Sequence, residues 1–262
     1  MTAQVFAVAN QKGGVGKTTT AVNAAAALAR LQKRVLLVDL DPQGNATMGS
    51  GINKQDLDRS VYPVLLGEMS VREARLASET GGYDVLAANR DLAGAEIELV
   101  GLEGREHRLA KAIAEAEHDY DVVILDCPPS LSMLTLNGLC AANGVIIPMQ
   151  CEYFALEGLS DLVNSIKRVH ANLNPGLRII GLLRVMFDPR MTLSQQVSDQ
   201  LITHFGDKVF RSIIPRNVRL AEAPSFGQPG IVYDPGSRGS KAYLDFGQEL
   251  IQRLASETGS AA

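Results

Sequence analysis

Short runs of consecutive apolar residues recur along the chain at 5–9, 35–39, 121–126 and 144–149. Each is too short for a helix and too uniformly apolar for a strand with one wet face, so each reads as a strand covered on both sides. Between them lie segments whose apolar residues return every third or fourth position, at 105–117, 158–172, 193–204 and 241–254, and an alanine-rich helical stretch opens at Lys17. Further strands are expected at 83–87, 177–187 and 209–214, and a helix at 71–78. The stretch 49–90 is otherwise irregular, and the Pro- and Gly-rich residues 224–239 read as a loop. Strand-then-helix alternation from end to end predicts an α/β fold, a single doubly wound, mostly parallel sheet with helices on both faces. One domain is expected over residues 1–256, followed by a short polar tail at 257–262.

Composition sharpens this picture. A chain of 262 residues can bury about 70 % of its unfolded surface in one domain. An apolar fraction of 46 % with 5 % aromatics and no Trp implies a core of Val, Ile, Leu and Ala. It leaves few rings on which single-stranded nucleic acid could stack. The formal charge of −4 repels DNA and anionic lipid on average, so any nucleic-acid binding must come from a local patch. Cys127, Cys140 and Cys151 show no C-x-x-C spacing and read as reduced thiols in a cytoplasmic protein. The N-terminus runs straight into a strand, so no signal peptide is expected, and no apolar run reaches the 18 residues a membrane span requires.

The chemistry gathers at Asn10-Gln11-Lys12-Gly13-Gly14-Val15-Gly16-Lys17-Thr18-Thr19-Thr20, between the first strand and the first helix. Glycines let a loop wrap an anion with its N–H groups, Lys17 brings a point charge to the outer phosphates, and the helix start adds its positive dipole end. Thr18 offers a hydroxyl to Mg²⁺. The generic G-x-x-x-x-G-K-[ST] pattern fails at Gln11, and an additional lysine, Lys12, opens the loop. Two other strands end in acids. The run 35–39 ends in Asp39, with Asp41 just beyond, and the run 121–126 ends in Asp126, where a carboxylate can hold Mg²⁺ or its water.

These residues resemble the ParA/Soj family of chromosome and plasmid partition ATPases. Beyond the loop, the matching blocks are VLLVDLDPQGNAT (35–47), AGAEIEL (93–99), VVILDCPPSLSMLTLN (122–137), QCEYFALEGLS (150–160) and IPRNVRLAEAPSFGQP (214–229). The resemblance implies a deviant Walker A loop in which Lys12 reaches across a homodimer to the partner's ATP, while Gly13, Gly14, Val15, Gly16, Lys17, Thr18 and Thr19 cradle the phosphates. Asp41 would orient the attacking water, although it could simply cap the loop before Pro42. Thr18 and Asp126 would surround Mg²⁺, with Asp39 a competing contact through water. Pro215 and Asn217 fall where the family meets the base, and Arg184 stands in the adjoining strand where relatives carry a small polar residue.

Between Arg178 and Arg219 the sequence carries seven Lys/Arg against three acids. Arg190 and Arg219 match positions through which the family grips double-stranded DNA, and Arg216 is their neighbour. Few arginines and no helix-turn-helix extension imply sequence-independent, salt-sensitive binding. A ParB-type centromere-binding protein is the implied stimulator of hydrolysis, and a nucleoid-associated cytoplasmic location follows. The alternative is a MinD-like membrane ATPase, which calls for a basic amphipathic C-terminal helix; residues 255–262 contain no basic residue. A cluster-bearing redox relative would need paired cysteines, and a binding module without hydrolysis is separable only by assay.

Overall fold

The computed structural model describes residues 2–153 and 155–259, with side chains as far as Ala255. The first strand, β1 (Gln4–Val8), sets the plan: Val5 and Ala7 point into one core, Phe6 and Val8 into the other. After the glycine loop come α1 (Lys17–Arg30), β2 (Val35–Asp39), α2 (Asn45–Gly49), α3 (Val61–Leu66) and α4 (Val71–Ala74). Then follow β3 (Leu76–Ser78), β4 (Tyr83–Leu86), α5 (Leu92–Glu98), α6 (Arg108–Ala114), β5 (Val122–Asp126) and α7 (Met133–Ala141). The second half runs through β6 (Gly144–Met149), α8 (Ala155–Asn172), β7 (Arg178–Phe187), α9 (Thr192–Phe205) and β8 (Val209–Pro215). It closes with α10 (Val218–Glu222), α11 (Gly230–Tyr233) and α12 (Arg238–Gly259).

The strands form one eight-stranded sheet in the order β3-β4-β2-β5-β1-β6-β7-β8. Every neighbouring pair is parallel except β3 with β4. Helices cover both faces, α1 and α12 on one and α3 to α9 on the other, as the alternation predicts. β1 lies between β5 and β6, so its glycine loop emerges at the middle of the sheet's C-terminal edge, where open α/β sheets hold ligands. The register sets Val8 beside Asp126 and Asp126 beside Asp39, so three strand ends converge below that loop.

Two expectations need correction. The helix expected over 71–78 stops at Ala74. The capping box of Ser70 and Glu73 starts it, and Leu76–Ser78 then peels away to pair antiparallel with β4. The loop expected at 224–239 contains a 3₁₀ turn at Ala223–Phe226 and α11, and α12 begins at Arg238. That last helix also runs to Gly259, into the expected tail; residues 260–262 lie outside the described residues. Its apolar side chains are spent on the core: Phe246 and Leu250 are fully buried, and Leu244, Ile251 and Leu254 pack at the margin. Among the described residues no helix is long and apolar enough to cross a membrane.

Arg184 also departs from expectation. It is buried between β7, β8 and α9, donating to Ser198 Oγ at 2.9 Å and to the Phe210 carbonyl at 2.9 Å where the β7–β8 register shifts. It therefore belongs neither to a surface patch nor to the base pocket. Along β8, the Glu249 carboxylate of α12 accepts from the backbone N–H groups of Arg211 and Ser212, each at 2.8 Å.

Candidate nucleotide site

The loop between β1 and α1 owes its path to two residues in the left-handed region, Gly14 at φ 73° and Gly16 at φ 75°. Gly16 caps α1 with no side-chain acceptor, so the helix's first N–H groups are left to an incoming anion. A Cβ at Gly13 or Gly14 would meet nothing within 4 Å, so this stretch of backbone is open on its outer side. Val15 is buried and anchors the loop from beneath. Lys17, only 8 % exposed, donates to the Lys12 carbonyl at 3.1 Å. Burial pulls its ammonium below the usual lysine range, and the nearby charges of Asp126 and Asp41 oppose that shift.

The carboxylates that look alike in sequence differ in structure. Asp39 is fully buried and fully engaged: Oδ2 accepts from Thr47 N and Thr47 Oγ1, each at 2.8 Å, and Oδ1 from Asp41 N at 3.1 Å. Burial still pushes its carboxyl up to about 6, against the pull of those bonds. Asp126 is equally buried, yet neither of its oxygens makes a hydrogen bond of good geometry, although the Thr18 hydroxyl comes near enough to favour the charged form. Burial, and next the charge of Asp39, raise its carboxyl well above the ordinary range, with Thr18 and Lys17 pulling the other way. Two orphaned oxygens beside a threonine hydroxyl suit a hard divalent cation. Asp41 caps the loop as its plainer reading holds, with Oδ1 accepting from Gln43 N at 2.9 Å, and it also lines the cavity.

That cavity, about 400 Å³, is floored by Gly13, Gly14, Gly16, Lys17, Thr18 and Thr19. Its far end is an apolar slot of Val185, Met186, Ile214, Pro215, Leu220 and Tyr243. Asn217 borders the slot and N-caps α10, its Oδ1 accepting from Arg219 N at 2.8 Å, which fixes the amide's orientation. Thus the structure brings Gly13, Gly14, Gly16, Lys17, Thr18, Thr19, Pro215 and Asn217 to one cavity, whereas Lys12 and Val15 lie outside its lining. Pattern reading misses Met186, Tyr243, Gln150 and Thr47. Met186 sits at φ 50°, rare for a side chain of its size, and accepts from Gln150 Nε2 at Sδ. Tyr243 is a buried aromatic on α12 whose hydroxyl meets Thr20 Oγ1 at 3.0 Å. No spacing in the sequence signals either.

A second group of contacts straps the loop to the end of β6. Asn10 Nδ2 donates to the Pro148 carbonyl at 2.8 Å, and Gln150 Nε2 to the Gly14 carbonyl at 3.1 Å. Lys12 Nζ lies 2.6 Å from Glu152 Oε2.

Arg190 and Arg216 lie at one edge, because β7 and β8 end side by side and Arg216 N donates to the Phe187 carbonyl, and Arg219 follows on α10. Two of them are already paired. Asp188 takes Arg190 through both oxygens, and the guanidinium holds that carboxyl down at about 2. Arg219 contacts Glu222 at 2.9 Å and Asp234 at 3.5 Å. Arg216 is exposed and has no ion pair among the described residues. The three cysteines are buried and unpaired, and no group of three or more His, Cys, Asp or Glu side chains among the described residues could hold a metal ion.

A family model described as an AAA domain matches residues 3–179. The chain is 52 % identical over 247 residues to the sporulation initiation inhibitor protein Soj of Bacillus subtilis (strain 168), covering 94 % of this chain and 98 % of that protein. It is 49 % identical over 261 residues to the chromosome partitioning protein ParA of Caulobacter vibrioides (strain NA1000 / CB15N), covering 99 % and 98 %. Among solved structures, cobyrinic acid a,c-diamide synthase from Mycobacterium smegmatis, with bound ADP and magnesium, is similar at a TM-score of 0.86 and 41 % identity, covering 97 % of this chain and 96 % of that one. A phosphate-binding loop above convergent strand-end carboxylates, in a chain half identical to Soj and ParA along nearly its whole length, belongs to the ParA/Soj family of chromosome-partitioning ATPases.

Proposed function

We propose that two copies of this chain close face to face over ATP, bind double-stranded DNA as a pair without sequence preference, and separate on hydrolysis. The observation that carries this reading is the orphaned, buried carboxylate of Asp126 beside the glycine loop and Lys17. The N–H groups at the start of α1 receive the phosphates, and Lys17 exchanges the Lys12 carbonyl for them. Thr18 and Asp126 would hold Mg²⁺, which would supply positive charge to the outer phosphates. Asp41, with one oxygen on the Gln43 amide, orients water with the other, and Asp39 keeps α2 in place through Thr47. The apolar slot takes the base beside Pro215 and Asn217. Lys12 of each copy completes the other's site, so charge neutralisation and hydrolysis depend on pairing.

Pairing doubles the arginines that face DNA, which ties DNA affinity to the nucleotide. A ParB-type protein speeds hydrolysis and so releases the pair from the nucleoid. Sedimentation with ATP, ADP or neither, together with DNA retardation at two salt concentrations, tests this reading. Dimers and DNA retardation are expected with ATP alone. ATP-dependent dimers from a Lys12→Ala variant would overturn the trans role of Lys12. Equal phosphate release by Asp41→Ala and the unaltered chain would remove the water-orienting role of Asp41.

A further inference from the structure

Lys12 does not stand free in the monomer. Its ammonium lies 2.6 Å from Glu152 Oε2, with both side chains half exposed. The backbone on either side of this contact is fixed. Lys12 N donates to Asn10 Oδ1 at 3.0 Å, Asn10 is tied to Pro148, Gln150 to Gly14, and Gln11 Nε2 to Ser165 Oγ at 3.3 Å. The two charges are thus held on braced segments, so little chain ordering opposes their contact.

We infer that Glu152 is a positioning residue that keeps Lys12 on its own subunit, and that pairing over ATP requires the Lys12 ammonium to exchange this carboxylate for the partner's phosphates. The inference rests on the ATP-dependent pairing proposed above. A single carboxylate charge competes poorly with a triphosphate and better with a diphosphate. Glu152 therefore sets a threshold that ATP crosses more readily than ADP. An ion pair at this exposure is a weak hold, equivalent to about a two- to fivefold change in an equilibrium constant. Two such pairs break for each dimer, which compounds to about four- to twenty-fivefold.

The test compares the full-length chain with Glu152→Gln. Sedimentation over a concentration series, with Mg²⁺ and a non-hydrolysable ATP analogue at low salt, should show the variant dimerising at about four- to twenty-fivefold lower concentration. The difference should shrink near about 0.5 M salt as screening weakens the pair in the unaltered chain. In the nucleotide-free protein, an amine-acylating reagent should label Lys12 several-fold faster in the variant, relative to Lys54. An unchanged or higher dimerisation midpoint would overturn the inference. So would a lower midpoint without faster Lys12 labelling, since the effect would not then pass through Lys12. If the unaltered chain never dimerises with the analogue, the pairing itself fails, and the labelling arm still decides whether Glu152 holds Lys12.

Discussion

A carboxylate buried with neither oxygen hydrogen-bonded destabilises the chain that carries it, and Asp126 is such a group. Its folded pKa stands above the unfolded value, so any stability it contributes is complete below the unfolded pKa near pH 4 and is lost as pH rises through the folded value. Asp39 acts in the same direction over the window from about 4 to about 6. In protein free of nucleotide and magnesium, Asp126→Asn is therefore expected to raise stability at pH 8. The gain should shrink as pH falls toward 4, and thermal unfolding across pH checks both. The same variant should lose the strengthening of ATP binding by Mg²⁺, measured by titration with and without the ion. Sequence alone shows two apolar runs ending in acids. It cannot show that Thr47, eight residues beyond Asp39, and the Asp41 amide engage the oxygens of one and leave the other bare.

At the scale of elements, the parallel strands were legible because burial on both faces leaves an uninterrupted apolar run, as in β1, β2, β5 and β6. β3 was not, because three residues reading Leu-Ala-Ser become a strand only through the partner that β4 provides. The short helices α2 and α3 stayed hidden for a similar reason, being too short to show a period. The base slot is assembled by β7, β8, α10 and α12, so no contiguous stretch announces it. Packing at this level is tight where α12 crosses α1: a Cβ on Gly247 would come within 2.8 Å of Ala27 Cβ. Gly247→Val is expected to force the helices apart and destabilise the fold by about 1–3 kcal/mol, read from urea unfolding. Tyr243 lies one turn earlier, so nucleotide affinity should fall with it.

For the whole molecule, the net charge is acidic, so the DNA binding proposed above rests on a local basic patch, assigned to the edge where β7 and β8 end. Arg190 and Arg219 would have to break ion pairs to reach phosphate, whereas Arg216, although its charge also acts on Asp188, has no such contact to break among the described residues. With ATP present, Arg216→Ala should therefore weaken DNA retention more than Arg190→Ala. It should also lower the slope of log affinity against log salt by about 0.9 for each phosphate that the variant no longer neutralises.

The Glu249 carboxylate that sits on two backbone N–H groups of β8 has a further consequence at this scale. At the opposite margin stands β3, with three residues. Neither margin offers a row of free amides long enough to recruit a foreign strand, so copies of the molecule cannot polymerise by lengthening the sheet. Glu249→Ala, which uncovers those amides, should scatter more light on gentle heating. With both flanks blunted, a filament or higher assembly would be built from the helical faces or from the loops at the ends of the strands, and only growth through those loops would answer to whatever occupies the cavity.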